Sequence, residues 1–322
     1  MAGSSLDNNP PNASRHITSG ASDWLWAVTA IMAICDLAMV GWAFRRARGT
    51  RLFHQIGIIV LTTATIAYFA MASDLGAAAV TEEFLRGSAP GTTRQIWYVR
   101  YIQWFITLPL LLLELLLATG LTLSDIFTTI FMGWVFVVCG LVGAFVRTSY
   151  KWGFYVFGLL ALFYIWHVLL GHGPRSTFAA GGAVRSGYVR TAGYFSLLLL
   201  LYPICWACSE GANVVSPTGE MIWYGILDLL AGPVFLFFFL FGLRSVDMAA
   251  FGLWSGKYTD TGYGYGAPGA GGPGMTAAPG APGVAGGVGT GMSMAGTTAG
   301  TGPAAANGAA AGLAGAGAAN RV

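Results

Sequence analysis

Arg100-Tyr101-Ile102-Gln103-Trp104-Phe105-Ile106-Thr107-Leu108-Pro109-Leu110-Leu111-Leu112-Leu113-Glu114 sets an arginine, an amide, a hydroxyl and a carboxyl inside an otherwise apolar run. The run extends over about 96–119, long enough as a helix to cross a hydrocarbon core of roughly 30 Å. Arg100, Gln103, Thr107 and Glu114 are spaced by three, four and seven residues, which puts them near one helical face. Ionisable groups inside such a span are costly and usually functional.

Outward from this run the same texture recurs. Apolar stretches cover about 23–44, 52–76, 123–146, 151–171, 187–208 and 218–243. They are continuous rather than alternating, so helices rather than barrel strands are expected. The chain of 322 residues is 55% hydrophobic and 9% charged, too few charges to cover a water-facing surface. The fold class is therefore all-α, a seven-transmembrane helix bundle in the lipid bilayer over 22–247. A polar extracellular segment over 1–21 precedes it, and a Gly/Ala/Pro-rich tail over 248–322 follows. With a net charge of +3, no nucleic-acid footprint is present.

Lys/Arg bias sets the orientation. Arg45, Arg46, Arg48, Arg51, Arg175, Arg185, Arg190, Arg244 and Lys257 fall on one side. Arg15, Arg86, Arg94, Arg147 and Lys151 on the other are offset by Glu82, Glu83, Glu210 and Glu220. The first side is expected to be cytoplasmic, with the N-terminus outside. The first residues lack the apolar core of a signal peptide, and Asn12-Ala13-Ser14 is a sequon, weak support for an outside N-terminus. The tail cannot bury enough apolar surface to offset ordering entropy and is expected to be disordered and cytoplasmic. A partner-binding tail and a passive tail both stay open. Cys205-Trp206-Ala207-Cys208 reads as two small residues one turn apart in a buried helix, with no second cysteine pair nearby to complete a metal site. His167 and His172 read as packing or interface residues. No nucleophile–base pair, metal cluster or phosphate loop appears in the spans, so an enzyme is not expected.

Other ionisable groups within or beside spans are Asp36, Asp74 and Asp228. Buried charge needs a partner, and Asp228 is the expected partner of Arg100. From chemistry alone, a structural ion pair and a functional one are both open.

The Arg100–Glu114 stretch resembles the third helix of microbial (type 1) rhodopsins, whose pattern is R-Y-x-D-W-x-x-T-x-P-L-L-L-L-D/E. Tyr202-Pro203-x-x-Trp206, Ser209-Glu210-Gly211, Gly140-Leu141-Val142-Gly143-Ala144, and Glu220 followed eight residues later by Asp228 extend the likeness. The resemblance implies a retinal pocket walled by Tyr68, Trp104, Thr107, Tyr202, Trp206 and Asp228. It also implies a proton or ion pathway through Arg100, Gln103, Glu114, Glu210 and Glu220. The match at Glu210 is looser, because the stretch after Trp206 looks one residue short.

Three departures stand out. The family's retinal lysine follows the Asp228 position by four residues, where this chain has Gly232. The chain's two lysines, Lys151 and Lys257, lie outside the spans' middle, and arginine cannot serve as the amine. A covalent retinal is therefore not expected, nor any other cofactor. Gln103, a neutral amide, replaces the pumps' counter-ion carboxylate. Leu199 stands where the family usually has a ring-contacting tryptophan. Gly232-Pro233 should kink the seventh span.

The chain is similar to fungal opsin-related proteins of the heat-shock type, which also lack the lysine. That implies a non-photochemical plasma-membrane protein in stress or membrane homeostasis. Light-independent proton or ion transport and a non-covalent retinal or lipid sensor are the alternatives. Whether the remnant pocket is open, and whether Gly140 and Gly143 pack within the bundle or between subunits of a homo-oligomer, is left open.

Overall fold

A computed structural model describes residues 5–46, 50–177 and 182–244. The tail expected over 248–322, together with Arg48 and Lys257, lies outside them. Among the described residues, seven helices are long and apolar enough to cross a membrane. The first, α1, spans Ser19–Phe44, and the Thr18 side chain caps it by accepting from the Ala21 N–H. The second, α2, runs Leu52–Ala72 and stops short of the expected end at residue 76. There the chain turns through Asp74 and Gly76, both at positive φ. A Cβ on Gly76 would come 2.7 Å from Val99 Cβ, so conformation and space both require glycine.

The turn leads into an antiparallel hairpin of β1 (Ala78–Thr81) and β2 (Thr93–Ile96), with Ala78 opposite Ile96. The chain's start joins it. The Arg15 N–H donates to the Thr93 carbonyl at 2.8 Å, and the Gln95 N–H donates to the Arg15 carbonyl at 2.9 Å. Arg15 also pairs with Glu82 at 2.9 Å, and Ile17 is buried in the core. The segment expected over 1–21 as a polar extension is thus tied into the fold: Trp26 Nε1 donates to the Ser5 hydroxyl at 3.1 Å, Asn9 Nδ2 donates to the Ser73 carbonyl at 2.8 Å, and the first membrane-length helix begins at Ser19.

The third helix, α3 (Tyr98–Leu117), starts two residues after β2. The fourth, α4 (Leu123–Phe145), is capped by Thr122, which accepts from the Asp125 N–H and donates its hydroxyl to the Asp125 carboxyl. The fifth span, α5, covers Lys151–Ser176 and contains a π turn, His167–His172. The sixth, α6 (Gly182–Trp206), ends in a π turn, Ala207–Gly211. The seventh, α7, runs from Pro217 to Gly242 behind a Ser216 cap, with a π turn at Leu230–Val234. That π turn surrounds Gly232-Pro233, where a kink is expected. The backbone absorbs the missing proline N–H by widening, and the Leu230 carbonyl accepts from the Tyr194 hydroxyl at 3.1 Å.

Consecutive helices α1 to α5 pack on their neighbours, α6 packs on α7, and α7 closes on α1. Exposed side chains such as Ile34, Leu37, Ile66, Phe127 and Phe157 are apolar, as lipid-facing positions require. Arg100, Gln103, Thr107, Glu114, Glu210, Glu220 and Asp228 are buried instead. The interior of the bundle, centred on α3, is where the chemistry lies.

Candidate functional site

Asp228 on α7 is the node of the interior. Its Oδ2 accepts from the Tyr68 hydroxyl of α2 at 2.6 Å. Its Oδ1 accepts from the Tyr202 hydroxyl of α6 at 2.7 Å and from Trp104 Nε1 of α3 at 3.1 Å. Four helices therefore meet on one carboxyl, and all three donors are uncharged. Arg100 does not pair with Asp228, contrary to the expectation. Its guanidinium lies 3.3 Å from the Tyr224 ring centroid and 5.0 Å from that of Tyr101, with Nε lacking a hydrogen-bond partner. The reason is that neutral donors already hold the Asp228 oxygens, while two aromatic faces offer the planar cation an alternative. Tyr224 precedes Asp228 by four residues on α7, one turn away on the same face. That spacing was the available signal for its role.

Further along α3 the polar residues are isolated. Gln103 Oε1, Thr107 Oγ1 and both Glu114 oxygens have no hydrogen-bond partner among the described residues. Glu114 is completely buried. Asp36 accepts from the Thr62 hydroxyl at 2.8 Å, at the α1–α2 seam.

The hairpin end is different. Arg94 of β2 bonds Glu220 at 2.5 Å and the Val215 carbonyl at 2.7 Å, with almost no exposed surface on either member of the ion pair. Burial works against the Arg94 charge, but the carboxylate of Glu220, its hydrogen bond, and Glu210 and Glu82 together raise its pKa above the ordinary arginine value. Glu210 accepts from the Tyr101 hydroxyl at 2.5 Å. Lys151 Nζ lies 3.3 Å from Glu83 and reaches the Glu210 and Gly211 carbonyls at 3.5 and 3.4 Å. Asp74 accepts from Gln95 at 2.6 Å; burial pushes its carboxyl up, against that hydrogen bond and the nearby His16. Arg94, Tyr101 and Lys151 were not singled out as partners of these acids. Their partners lie more than a hundred residues away or on a hairpin that no apolar run announces.

A cavity of ≈ 60 Å³ lies between α3, α4, α5 and α6, lined among others by Trp104, Phe136, Tyr155, Leu199, Tyr202 and Trp206. One water needs roughly 10–15 Å³ on this measure, so a few waters or a small apolar group fit. Of the expected wall residues, Trp104, Tyr202 and Trp206 line it. Tyr68, Thr107 and Asp228 do not, because the Asp228 network packs the inner side closed. Gly140 and Gly143 serve packing within the bundle. Their Cβ positions would meet Tyr101 at 3.3 Å and Trp206 at 3.0 Å, and Trp206 Nε1 donates to the Gly140 carbonyl.

Gly232 is not among this cavity's lining residues. A Cβ there would lie 3.8 Å from Met32 Cε, 3.9 Å from Met32 Sδ and 4.0 Å from Leu61 Cδ2, all ordinary contacts. The space beside Gly232 is thus bordered by two buried apolar side chains from α1 and α2.

Comparison with known proteins identifies the family and the fold. The family model described as bacteriorhodopsin-like protein matches residues 18–246. Protein FDD123 of Trametes versicolor is 66% identical over 81% of this chain and 90% of its own length. The 30 kDa heat shock protein of Saccharomyces cerevisiae is 33% identical over 71% of this chain and 75% of its own. The crystal structure of a light-driven proton pump, Coccomyxa subellipsoidea rhodopsin, superposes with a TM-score of 0.67 at 34% identity, covering 70% of this chain and 98% of that one. An integral membrane protein built as a seven-helix bundle, this chain belongs to the bacteriorhodopsin-like family.

Proposed function

We propose that the chain is a non-photochemical opsin-related protein of the plasma membrane, with a role in stress or membrane homeostasis. The observation that carries this reading is the environment of Gly232. An imine with an aldehyde chromophore needs a primary amine. The chain's amine side chains are Lys151 and Lys257. Lys151 is engaged at the hairpin end by Glu83 and two carbonyls. Lys257 lies outside the described residues, beyond the last span in sequence. Covalent retinal does not fit the site: Gly232 offers no nucleophile, and Met32 and Leu61 border the space beside it. Gln103, without a titratable proton near neutral pH, removes the counter-ion carboxylate from the same reading. The heat-shock name of one relative supports the stress role. The structural neighbour is a light-driven proton pump, and the missing amine withholds that chemistry here. The basic residues flanking the spans support a cytoplasmic C-terminus.

Absorption spectroscopy of purified protein with all-trans retinal tests this directly. No visible band surviving denaturation is expected; a covalently retained chromophore would overturn the reading. The converse experiment is Gly232→Lys with Gln103→Asp. A stable visible band in that double variant would mean the pocket can still open to an opsin shape.

The cavity beside Trp206 favours a second reading, a non-covalent sensor of a small apolar or lipid-derived ligand. It predicts a retinal or lipid complex that is lost on simple extraction. Light-independent ion transport has less support. Among the described residues no hydrogen-bond chain joins Glu114 to Asp228, and Arg94 holds Glu220. Proton flux in vesicles that Glu114→Gln abolishes would reinstate it.

A further inference from the structure

Away from the Asp228 node and the hairpin, the end of α5 carries a pair of chemically capable side chains that none of the contacts above uses. His167 and His172 are the first and last residues of the π turn in α5, at the end of the bundle away from the hairpin. A π-helix closes its hydrogen bonds from i to i+5, so residues five apart sit on neighbouring turns. The two imidazoles accordingly lie with centroids 4.6 Å apart and planes at 63°. Both residues are exposed on the bundle, which sets aside packing inside it and leaves the interface reading open. No described residue hydrogen-bonds either ring. His167 Nδ1 lies 3.9 Å from where a Cβ on Gly171, the residue next to His172, would be.

We propose that His167 and His172 form a two-imidazole clamp for a divalent transition-metal ion of the Zn²⁺, Ni²⁺ or Cu²⁺ class. Two histidines one turn apart on a helix face are the established way for a single helix to grip such an ion. With metal–nitrogen bonds of roughly 2.0–2.1 Å, each ring centroid sits roughly 3.2 Å from the ion. Two cis ligands then place their centroids roughly 4.5–5.2 Å apart. The observed spacing falls in that window without rebuilding the backbone. Imidazole selects these metals over Mg²⁺ and Ca²⁺, which take oxygen ligands. No group of three or more metal-ligating side chains occurs among the described residues, so water completes the coordination and the ion exchanges readily. Arg175, three residues beyond His172, adds like charge that solvent screens. The ion would staple a turn whose Leu169 carbonyl is already taken by the Tyr188 hydroxyl of α6 at 3.0 Å, so binding stiffens the α5–α6 contact.

Electron paramagnetic resonance of tag-free, detergent-purified protein titrated with Cu²⁺ tests the assignment. The expected result is one Cu²⁺ per chain with hyperfine splitting from two imidazole nitrogens. His167→Ala or His172→Ala should each reduce this to one nitrogen, and the double variant should lose the site. His16→Ala and His54→Ala should leave the signal unchanged, since these are the chain's remaining histidines. A two-nitrogen signal that survives in the double variant would overturn the proposal, as would the absence of stoichiometric Cu²⁺ binding to the unaltered protein.

Discussion

At the hairpin end Glu220, Glu210, Glu82 and Asp74 each have a donor on at least one oxygen; at the other end of α3, Glu114 has none among the described residues. Glu220 has Arg94, Glu210 has Tyr101, Glu82 has Arg15, and Asp74 has Gln95. Glu114, on the same helix as Tyr101, has both oxygens unpartnered. The contrast separates two uses of intramembrane polarity. At the hairpin end, charge is architecture: it clamps the hairpin and the chain's start onto the mouths of α6 and α7. Around Glu114 the carboxyl makes no hydrogen bond to a described residue, so its burial costs stability and needs another explanation.

The clamp should show the largest effect. Arg94→Leu leaves Glu220 buried without its cation and should destabilise by about 3–5 kcal/mol. Adding Glu220→Leu should recover most of that loss, because replacing both members of a buried pair is often neutral. Thermal unfolding in one detergent, compared across the two variants, reads both. Equal stability of Arg94→Leu and the unaltered protein would show that the hairpin is not held this way. The Asp228 node comes next. Tyr68→Phe removes one of three donors and should cost about 1–3 kcal/mol, read in the same thermal-unfolding comparison. Glu114→Leu has the opposite sign, a gain of about 0.5–2 kcal/mol from replacing an unpartnered carboxyl with an apolar side chain. A loss there instead would mean that Glu114 has a partner, such as an ordered water, and the contrast between the two ends would narrow.

How much of this was legible follows from range along the chain. The seven spans are local, written in apolar runs, and their boundaries are correct to within a few residues except where polar residues take over, as after Ala72. The motif on α3 is local too, and it located the buried residues. The hairpin was not legible, since its strands are four residues each and β2 is Thr93-Arg94-Gln95-Ile96, with no apolar alternation to announce it. Arg94 and Glu220 are 126 apart in sequence, and nothing in either neighbourhood names the other. Arg100 shows the other kind of failure. Opposite charges suggested a bond to Asp228, but neutral hydroxyls and an indole took the carboxyl, and a tyrosine face took the guanidinium. Charge alone does not rank such competitors; geometry does. The π turn that brings His167 against His172 has no compositional mark at all.

Asp74 gives the finest test of the hairpin end, because its effect is confined to a pH window. Burial raises the carboxyl above its ordinary value of roughly 3.9. The folded protein therefore holds the proton more tightly than the unfolded chain does. The stability tied to that proton is fully present below the ordinary value and is lost as pH rises through the raised one. Asp74→Asn keeps an oxygen to accept from Gln95 and removes the charge. It also suits the backbone, since Asp74 sits at φ 57 and asparagine tolerates the left-handed region. The variant should be slightly more stable than the parent at pH 7 and indistinguishable from it at pH 3. A difference that persists unchanged at pH 3 would trace the effect to the turn's backbone rather than to the buried charge, and the hairpin end would then owe less to electrostatics than its pairing suggests.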